Sequence, residues 1–226
     1  MKQSKEQTKT CIECFKDFKV KSFRNVFAYG HISCDKCFNL YTPRFYTIYV
    51  GGKKCLSLYD YDENFKSKLF QFKGCYDVAL APSFLDTFAG ELKIMFMNYI
   101  IVPVPSWVKD DEERGFNHVE EIFKVIGLKM VKLFIKVKEY KQSDQSFENR
   151  KEINAIINLI DKVDIKYKNV LLVDDVITSG NTIKRCINLL VDKGIKNIKI
   201  LTLSVSKHHP IKKENMLKKA FLKLKS

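Results

Sequence analysis

Val170-Leu171-Leu172-Val173-Asp174-Asp175-Val176-Ile177-Thr178-Ser179-Gly180-Asn181-Thr182 is the stretch on which the reading of this 226-residue chain turns. Four apolar residues between Asn169 and Asp174 predict a strand covered on both faces, as in a parallel sheet. Ile183, Cys186, Ile187, Leu190 and Val191 then fall on one stripe, which predicts a helix, and Gly194 stands where that helix should stop. The loop between a strand's carboxyl end and the next helix is where open parallel sheets bind ligands. Thr178 to Thr182 would offer backbone N–H groups, two threonine hydroxyls and the positive end of a helix, a set that suits a phosphate. Gly180 allows close approach of the backbone. Asp174 and Asp175 would repel a bare phosphate, so they need another partner. Sugar hydroxyls, or a magnesium ion held between sugar and phosphates, would supply one.

The amino-terminal part carries an independent signal. Cys11-Ile12-Glu13-Cys14 and Cys34-Asp35-Lys36-Cys37 are two Cys-x-x-Cys knuckles separated by 19 residues. Paired knuckles at this separation predict a structural four-thiolate zinc site with no open position for chemistry. His31 is a weaker alternative ligand, and paired disulfides are the other reading. Met1 to Thr10 is polar and lysine-bearing, which does not read as a signal peptide, so a reducing, cytoplasmic setting favours metal. Cys186 falls on the apolar helix stripe and reads as a small core residue.

The strand, its glycine-bearing loop and the helix resemble the phosphoribosyl-pyrophosphate loop of type I phosphoribosyltransferases. That resemblance implies phosphate contacts from Thr178, Ser179, Gly180, Asn181 and Thr182, and ribose contacts from Asp174 and Asp175. A knuckle module ahead of such a core resembles the ComF family of competence-associated proteins. Ile100 to Ser106 reads as a strand ending in Pro103 and Pro105, followed by Arg114-Gly115-Phe116-Asn117, which matches a ComF segment. His118 stands where the family usually has Gln, and Asp110 to Glu113 make the preceding loop acidic where relatives are rich in arginine. Lys141-Gln142-Ser143 with Asn149-Arg150 resembles the family's flexible loop, although Phe147 replaces an expected arginine. By this resemblance Arg114, Lys141 and Arg150 are the cations that would face a pyrophosphate leaving group.

The fold expected is therefore α/β: a type I phosphoribosyltransferase fold, an open parallel sheet with flanking helices, plus a small zinc-binding module. The module covers residues 8–54, a connecting segment 55–82 and the phosphoribosyltransferase-like domain 83–210. A basic amphipathic helix follows at 211–226, with Leu217, Phe221 and Leu224 spaced among lysines. Tyr46–Val50 and Lys54–Leu58 read as a hairpin around Gly51-Gly52. Stripes at 83–99 and 117–136 predict two helices, and Ile198 to Val205 another strand.

With 46% hydrophobic residues the chain can build a core, and no apolar run reaches the roughly 18–20 residues that cross a bilayer. The formal charge of +14 is compatible with nucleic-acid contact but is spread along the chain. Two functions follow from the family resemblance. One is a transferase that binds phosphoribosyl pyrophosphate, or a related sugar phosphate, with magnesium and passes ribosyl phosphate to an acceptor in a pathway linked to DNA uptake. The other is a non-catalytic competence factor that keeps the ligand pocket, with single-stranded DNA and competence proteins as candidate partners.

Overall fold

The strand expected at Val170 to Val173 is longer than its apolar run. It spans Asn169–Ile177 and carries both aspartates inside it. Its neighbour Asn197–Val205 continues beside it, pairing Asp174 with Thr202 and Ile177 with Val205, so hydrogen bonding extends the strand past the point where hydrophobicity ends. The structure, a computed structural model, describes residues 8–19, 32–41, 43–136, 157–160, 169–206 and 214–215.

In chain order the elements begin with β1 (Thr8–Thr10), β2 (Asp17–Lys19) and α1 (Asp35–Asn39), the knuckle region. A hairpin follows, β3 (Tyr46–Val50) and β4 (Lys53–Asp60), then α2 (Glu63–Gly74). Next come α3 (Ala89–Met95), β5 (Ile100–Pro103), α4 (Val108–Arg114) and α5 (His118–Phe123). The remainder is β6 (Phe134–Lys136), β7 (Ile157–Leu159), β8 (Asn169–Ile177), α6 (Asn181–Asp192), β9 (Asn197–Val205) and β10 (Glu214–Asn215).

One six-stranded sheet runs β10-β3-β4-β9-β8-β5. The β9-β8-β5 block is parallel, as expected; β4 joins it in parallel beside β9, which was not expected, and β3 and β10 add antiparallel strands at one edge, so the sheet is mixed. The hairpin at Gly51-Gly52 forms as predicted, both glycines having positive φ. It belongs to this sheet, however. A boundary at 54/55 would cut β4, whose residues Cys55 to Asp60 pair with β9.

Side chains alternate across β8 and divide the core in two. Val170 and Leu172 pack with Ile183, Cys186 and Leu190 of α6 on one face. Leu171 and Val173 pack on the other with Phe65 and Phe72 of α2, Phe84, and Phe123 of α5. The aromatic side is stitched by edge-on contacts such as Phe72–Phe84, with ring centroids 5.6 Å apart.

The two long helices predicted at 83–99 and 117–136 are shorter and broken. Around Pro82 the chain forms 3-10 turns at 78–84 and 86–88 before α3 begins, because proline has no N–H to give an α-helical bond. Leu85, Leu92 and Phe96 are buried as the stripe implied, but Met95 is exposed. The second stripe stops at Gly127, whose φ of 68° ends the helical path. Met130 then bridges Ile101, and Phe134 lies in β6, not on a helix.

Glu214–Asn215 pair with β3 as a strand, so the helix expected at 211–226 does not hold at those two residues; the rest of that stretch lies outside the described residues. Among the described residues, no helix is long and apolar enough to cross a membrane.

Candidate functional site

The alternation of β8 sends its two adjacent acids to opposite faces. Asp175 lies on the aromatic side. There its Oδ2 accepts a hydrogen bond from Lys73 Nζ of α2 at 2.7 Å, and His118 Nε2 stands 3.6 Å away. Its Oδ1 accepts from the Val176 N–H at 2.7 Å, and its carbonyl accepts from Thr202 Oγ1 at 2.9 Å. Burial opposes charge on Asp175, but the Lys73 ammonium outweighs it and holds the carboxyl well below the usual carboxylate range. Asp174 is half-buried; its Oδ1 accepts from the Asp175 N–H at 2.9 Å, and Lys73 pulls it only weakly downward. Burial, and then the neighbouring Asp175 charge, push Asp174 well above that range. The adjacent acids are thus driven in opposite directions by their surroundings, a pattern concentrated at functional sites.

Beyond Ile177 the chain turns through Thr178 and Ser179, both exposed, to Gly180 at φ 73°. Gly180 is the residue before α6, and its carbonyl takes the Lys184 N–H at 2.9 Å. The first-turn N–H groups of a helix have no intrahelical acceptors, so this end of α6 presents donors beside the hydroxyls of Thr178, Ser179 and Thr182. The structure places Asp174 and Asp175 near the carboxyl end of β8 and Thr178 to Thr182 in the turn and helix start that follow.

Arg114 joins the site indirectly. It ends α4 and is about nine-tenths buried, with Nη1 3.3 Å from His118 Nδ1 and 3.0 Å from Asp111 Oδ1. Its guanidinium lies 5.9 Å from the Phe116 ring centroid. His118 therefore stands between Arg114 and Asp175. Burial, reinforced by Lys73 and Arg114 and opposed by Asp175, lowers the imidazole to about 4, so it is neutral at pH 7. Lys141 and Arg150 lie outside the described residues, as do Gln142, Ser143, Phe147, Asn149 and His31.

The four knuckle cysteines form a separate cluster, with all four sulfurs within 4.8 Å of one another. Cys14 and Cys34 Sγ are 3.8 Å apart, and the Cys34 N–H donates to Cys11 Sγ at 3.3 Å. A tetrahedral ion with metal–sulfur bonds of about 2.3 Å sets its ligands about 3.8 Å apart, so the cluster fits such an ion. Burial raises the Cys11 thiol, but the backbone N–H groups around it win and bring it down to about 7.

The cluster is tied to α2 by a buried ion pair. Glu13, inside the first knuckle, accepts from Lys68 Nζ at 3.2 Å and from Ser33 Oγ at 2.6 Å. Lys68 also donates to the Ser83 carbonyl at 3.2 Å and lies 4.4 Å from the Tyr41 ring centroid. Sequence reading missed Lys68 and Lys73: both sit in a stretch that scans as an amphipathic linker, among 40 lysines and arginines.

Residues 112–225, half of the chain, match the model of the phosphoribosyl transferase domain. The chain is 29% identical over 147 residues to competence protein ComFC of Streptococcus pneumoniae, covering 65% of this chain and 66% of that protein. It is 25% identical over 140 residues to ComFC of Bacillus subtilis, covering 61% and 58%. The chain thus spans less than two thirds of the length of each of these relatives. Among solved structures, a hypoxanthine phosphoribosyltransferase of Staphylococcus aureus aligns at 14% identity over 57% of this chain and 65% of that one, with a TM-score of 0.38. A hypoxanthine-guanine phosphoribosyltransferase of Bacillus anthracis aligns at 18% over 59% and 74%, also at 0.38. The chain belongs to the phosphoribosyl transferase domain family and, within it, to the ComF group.

Proposed function

We propose that the end of β8 and the start of α6 form a binding site for phosphoribosyl pyrophosphate or a related sugar phosphate, taken with magnesium. The observation that carries this reading is the placement of Asp174 and Asp175 directly before a glycine-bearing loop that opens a helix. Thr178 to Thr182 would hold the 5-phosphate through N–H and hydroxyl donors. Asp175, fixed and ionised by Lys73, would accept a ribose hydroxyl, and Asp174 would take a second hydroxyl or the magnesium ion. Magnesium would supply charge neutralisation at the pyrophosphate. The chain's own part would be to orient the sugar and keep a negative surface beneath a cationic ribosyl centre as pyrophosphate departs. We further infer that Cys11, Cys14, Cys34 and Cys37 hold a structural zinc ion, and that the protein acts in competence, as the names of its relatives suggest, with DNA uptake as the step it would serve.

A second reading, a competence factor that binds the ligand without turning it over, is favoured by one contact. Of the three cations nominated for pyrophosphate, Arg114 is the one among the described residues, and it is already engaged by Asp111. Calorimetric titration of phosphoribosyl pyrophosphate with magnesium tests the shared part of both readings. Binding to the folded, zinc-loaded wild type and its loss in Asp174→Ala/Asp175→Ala is the expected result. Absence of binding to that wild type would overturn the site.

A further inference from the structure

At the carboxyl end of β5, next to β8 in the sheet, a second loop points the same way as the one before α6. Its polar groups converge on a single carboxylate. Asp111 Oδ2 accepts from Ser106 Oγ and from Asn117 Nδ2, the latter at 2.7 Å, and Oδ1 accepts from Arg114 Nη1 at 3.0 Å. Asn117 is fixed in this orientation, because its Oδ1 takes the Glu120 N–H at 3.0 Å and caps α5 while Nδ2 also donates to Ser106 at 2.8 Å. Arg114 is about nine-tenths buried, yet its Nε finds no hydrogen-bond partner among the described residues, an arrangement that leaves a guanidinium donor in reserve. Beside this cluster lies a cavity of about 200 Å³, lined by Ser106, Asp111 and Asn117 together with Lys136, and with Lys132 and Glu120, which pair with each other at 2.8 Å. A hydroxyl, an amide and a guanidinium that converge on one carboxylate, with Lys136 in the adjoining cavity, form a donor set for a phosphate-bearing anion.

We propose that Asp111 is a built-in competitor for such an anion: its carboxylate fills the donor set of Ser106, Arg114 and Asn117 in the free protein and thereby sets the affinity of that set for a pyrophosphate-type ligand. The ligand's link to a sugar phosphate rests on the reading above; the competition itself does not. A ligand entering this cavity must displace Asp111, and α4 with it, before Arg114 can turn to the anion. The acidic run from Asp110 to Glu113 then acts as a selectivity device, raising the threshold that an anion must meet before it engages Arg114.

The test is titration of inorganic pyrophosphate against wild type and Asp111→Asn. Asparagine keeps the shape and one acceptor while removing the charge. Expected is a gain of about tenfold in affinity, a part of the like-charge repulsion between groups about 4 Å apart near a surface. Arg114→Gln in the Asp111→Asn background should erase the gain. Unchanged or weaker binding in a folded Asp111→Asn protein would show that Asp111 only braces the loop, and would overturn the proposal. Wild type offers a check without mutation: saturating pyrophosphate should speed backbone hydrogen exchange across 108–114, and unaltered exchange there also overturns it. Ribose 5-phosphate, run in parallel, separates the two claims. It should bind wild type and Asp111→Asn alike. If it binds neither, the sugar-phosphate reading falls, while the pyrophosphate result still decides the role of Asp111.

Discussion

Two lysines on α2, five residues apart, each hold a carboxylate from a distant part of the chain, and the pairs differ in what encloses them. Lys68 and Glu13 are almost completely sealed, at 5% and 8% exposure, between the knuckle module and the aromatic face. Lys73 meets an equally buried acid, Asp175, but is itself 32% exposed. A sealed pair joins two structural units. A pair open on its cationic side leaves an ammonium at the mouth of a site, where a ligand can share it. One helix thus locks the knuckles to the core and positions the acid pair.

Breaking the sealed pair should have the largest effect. Burial lowers the Lys68 ammonium and Glu13 pulls the other way, so removing Glu13 strands a charge that the Ser83 carbonyl and the Tyr41 and Phe84 rings only partly compensate. Glu13→Gln is expected to cost about 3–5 kcal/mol, the usual penalty for orphaning one member of a buried pair. Lys68→Met added to it should recover most of the loss. Denaturant unfolding of the zinc-loaded single and double variants checks this. If the double variant is no better than Glu13→Gln, then Glu13 serves the knuckle through Ser33 and not through Lys68.

The open pair is sharpened by pH. His118 faces Asp175 from α5, with Lys73, Arg114 and Asp111 as its other charged neighbours. Burial first, then Lys73 and Arg114, lower it from 6.5 to about 4. A folded-state value below the unfolded one gives stability that is fully present above pH 6.5 and is lost as pH falls through about 4. The loss should amount to about 3 kcal/mol. His118→Gln removes the titration, so its melting temperature should fall less steeply between those two pH values. An unchanged slope would assign the acid sensitivity to other groups. Asp175 titrates separately: its depressed value keeps the Lys73 pair intact until pH drops below the ordinary carboxylate range.

These features divide by how far apart in the chain their parts lie. The β8–loop–α6 unit was legible because it is contiguous: hydrophobic run, acids, small residues and helix stripe follow one another within 25 residues, Asn169 to Lys193. The knuckles were legible because thiol spacing is a strong, local signal. Lys73 was not, because its partner lies 102 residues away and nothing local distinguishes it from the other lysines. The reach of β8 through Asp174 and Asp175 was hidden for a different reason. Acids are depleted from strands, and only the pairing with β9 keeps them there. The long helices at 83–99 and 117–136 were over-read: apolar spacing persisted through the 3-10 turns that follow Pro82, through Gly127 and through an edge bridge that a stripe cannot reveal. Asp111 was seen as a departure from the family's pattern, but its three donors come from two sides of α4 and converge only in the fold.

The smallest effect has the opposite sign from the other two and draws the boundary between holding a fold and holding a ligand. Asp174 shares β8 with Asp175, but for it burial and the adjacent charge outweigh the pull of Lys73 and raise it. A carboxyl raised in the folded state contributes stability that is present at low pH and is lost as pH rises through the folded value. At pH 7 its ionised form therefore opposes folding. Asp174→Asn keeps the acceptor that takes the Asp175 N–H and removes the charge. It should stabilise the protein at pH 7 by about 1 kcal/mol, and the advantage should vanish in acid below about pH 4. The same variant should lose phosphoribosyl pyrophosphate in calorimetry, since an amide is a poor ligand for magnesium beside a sugar. A lower melting temperature at pH 7 would mean that Asp174 is retained for the fold. A higher one, together with lost binding, would mean that the chain tolerates an unfavourable charge at this position for the sake of its ligand.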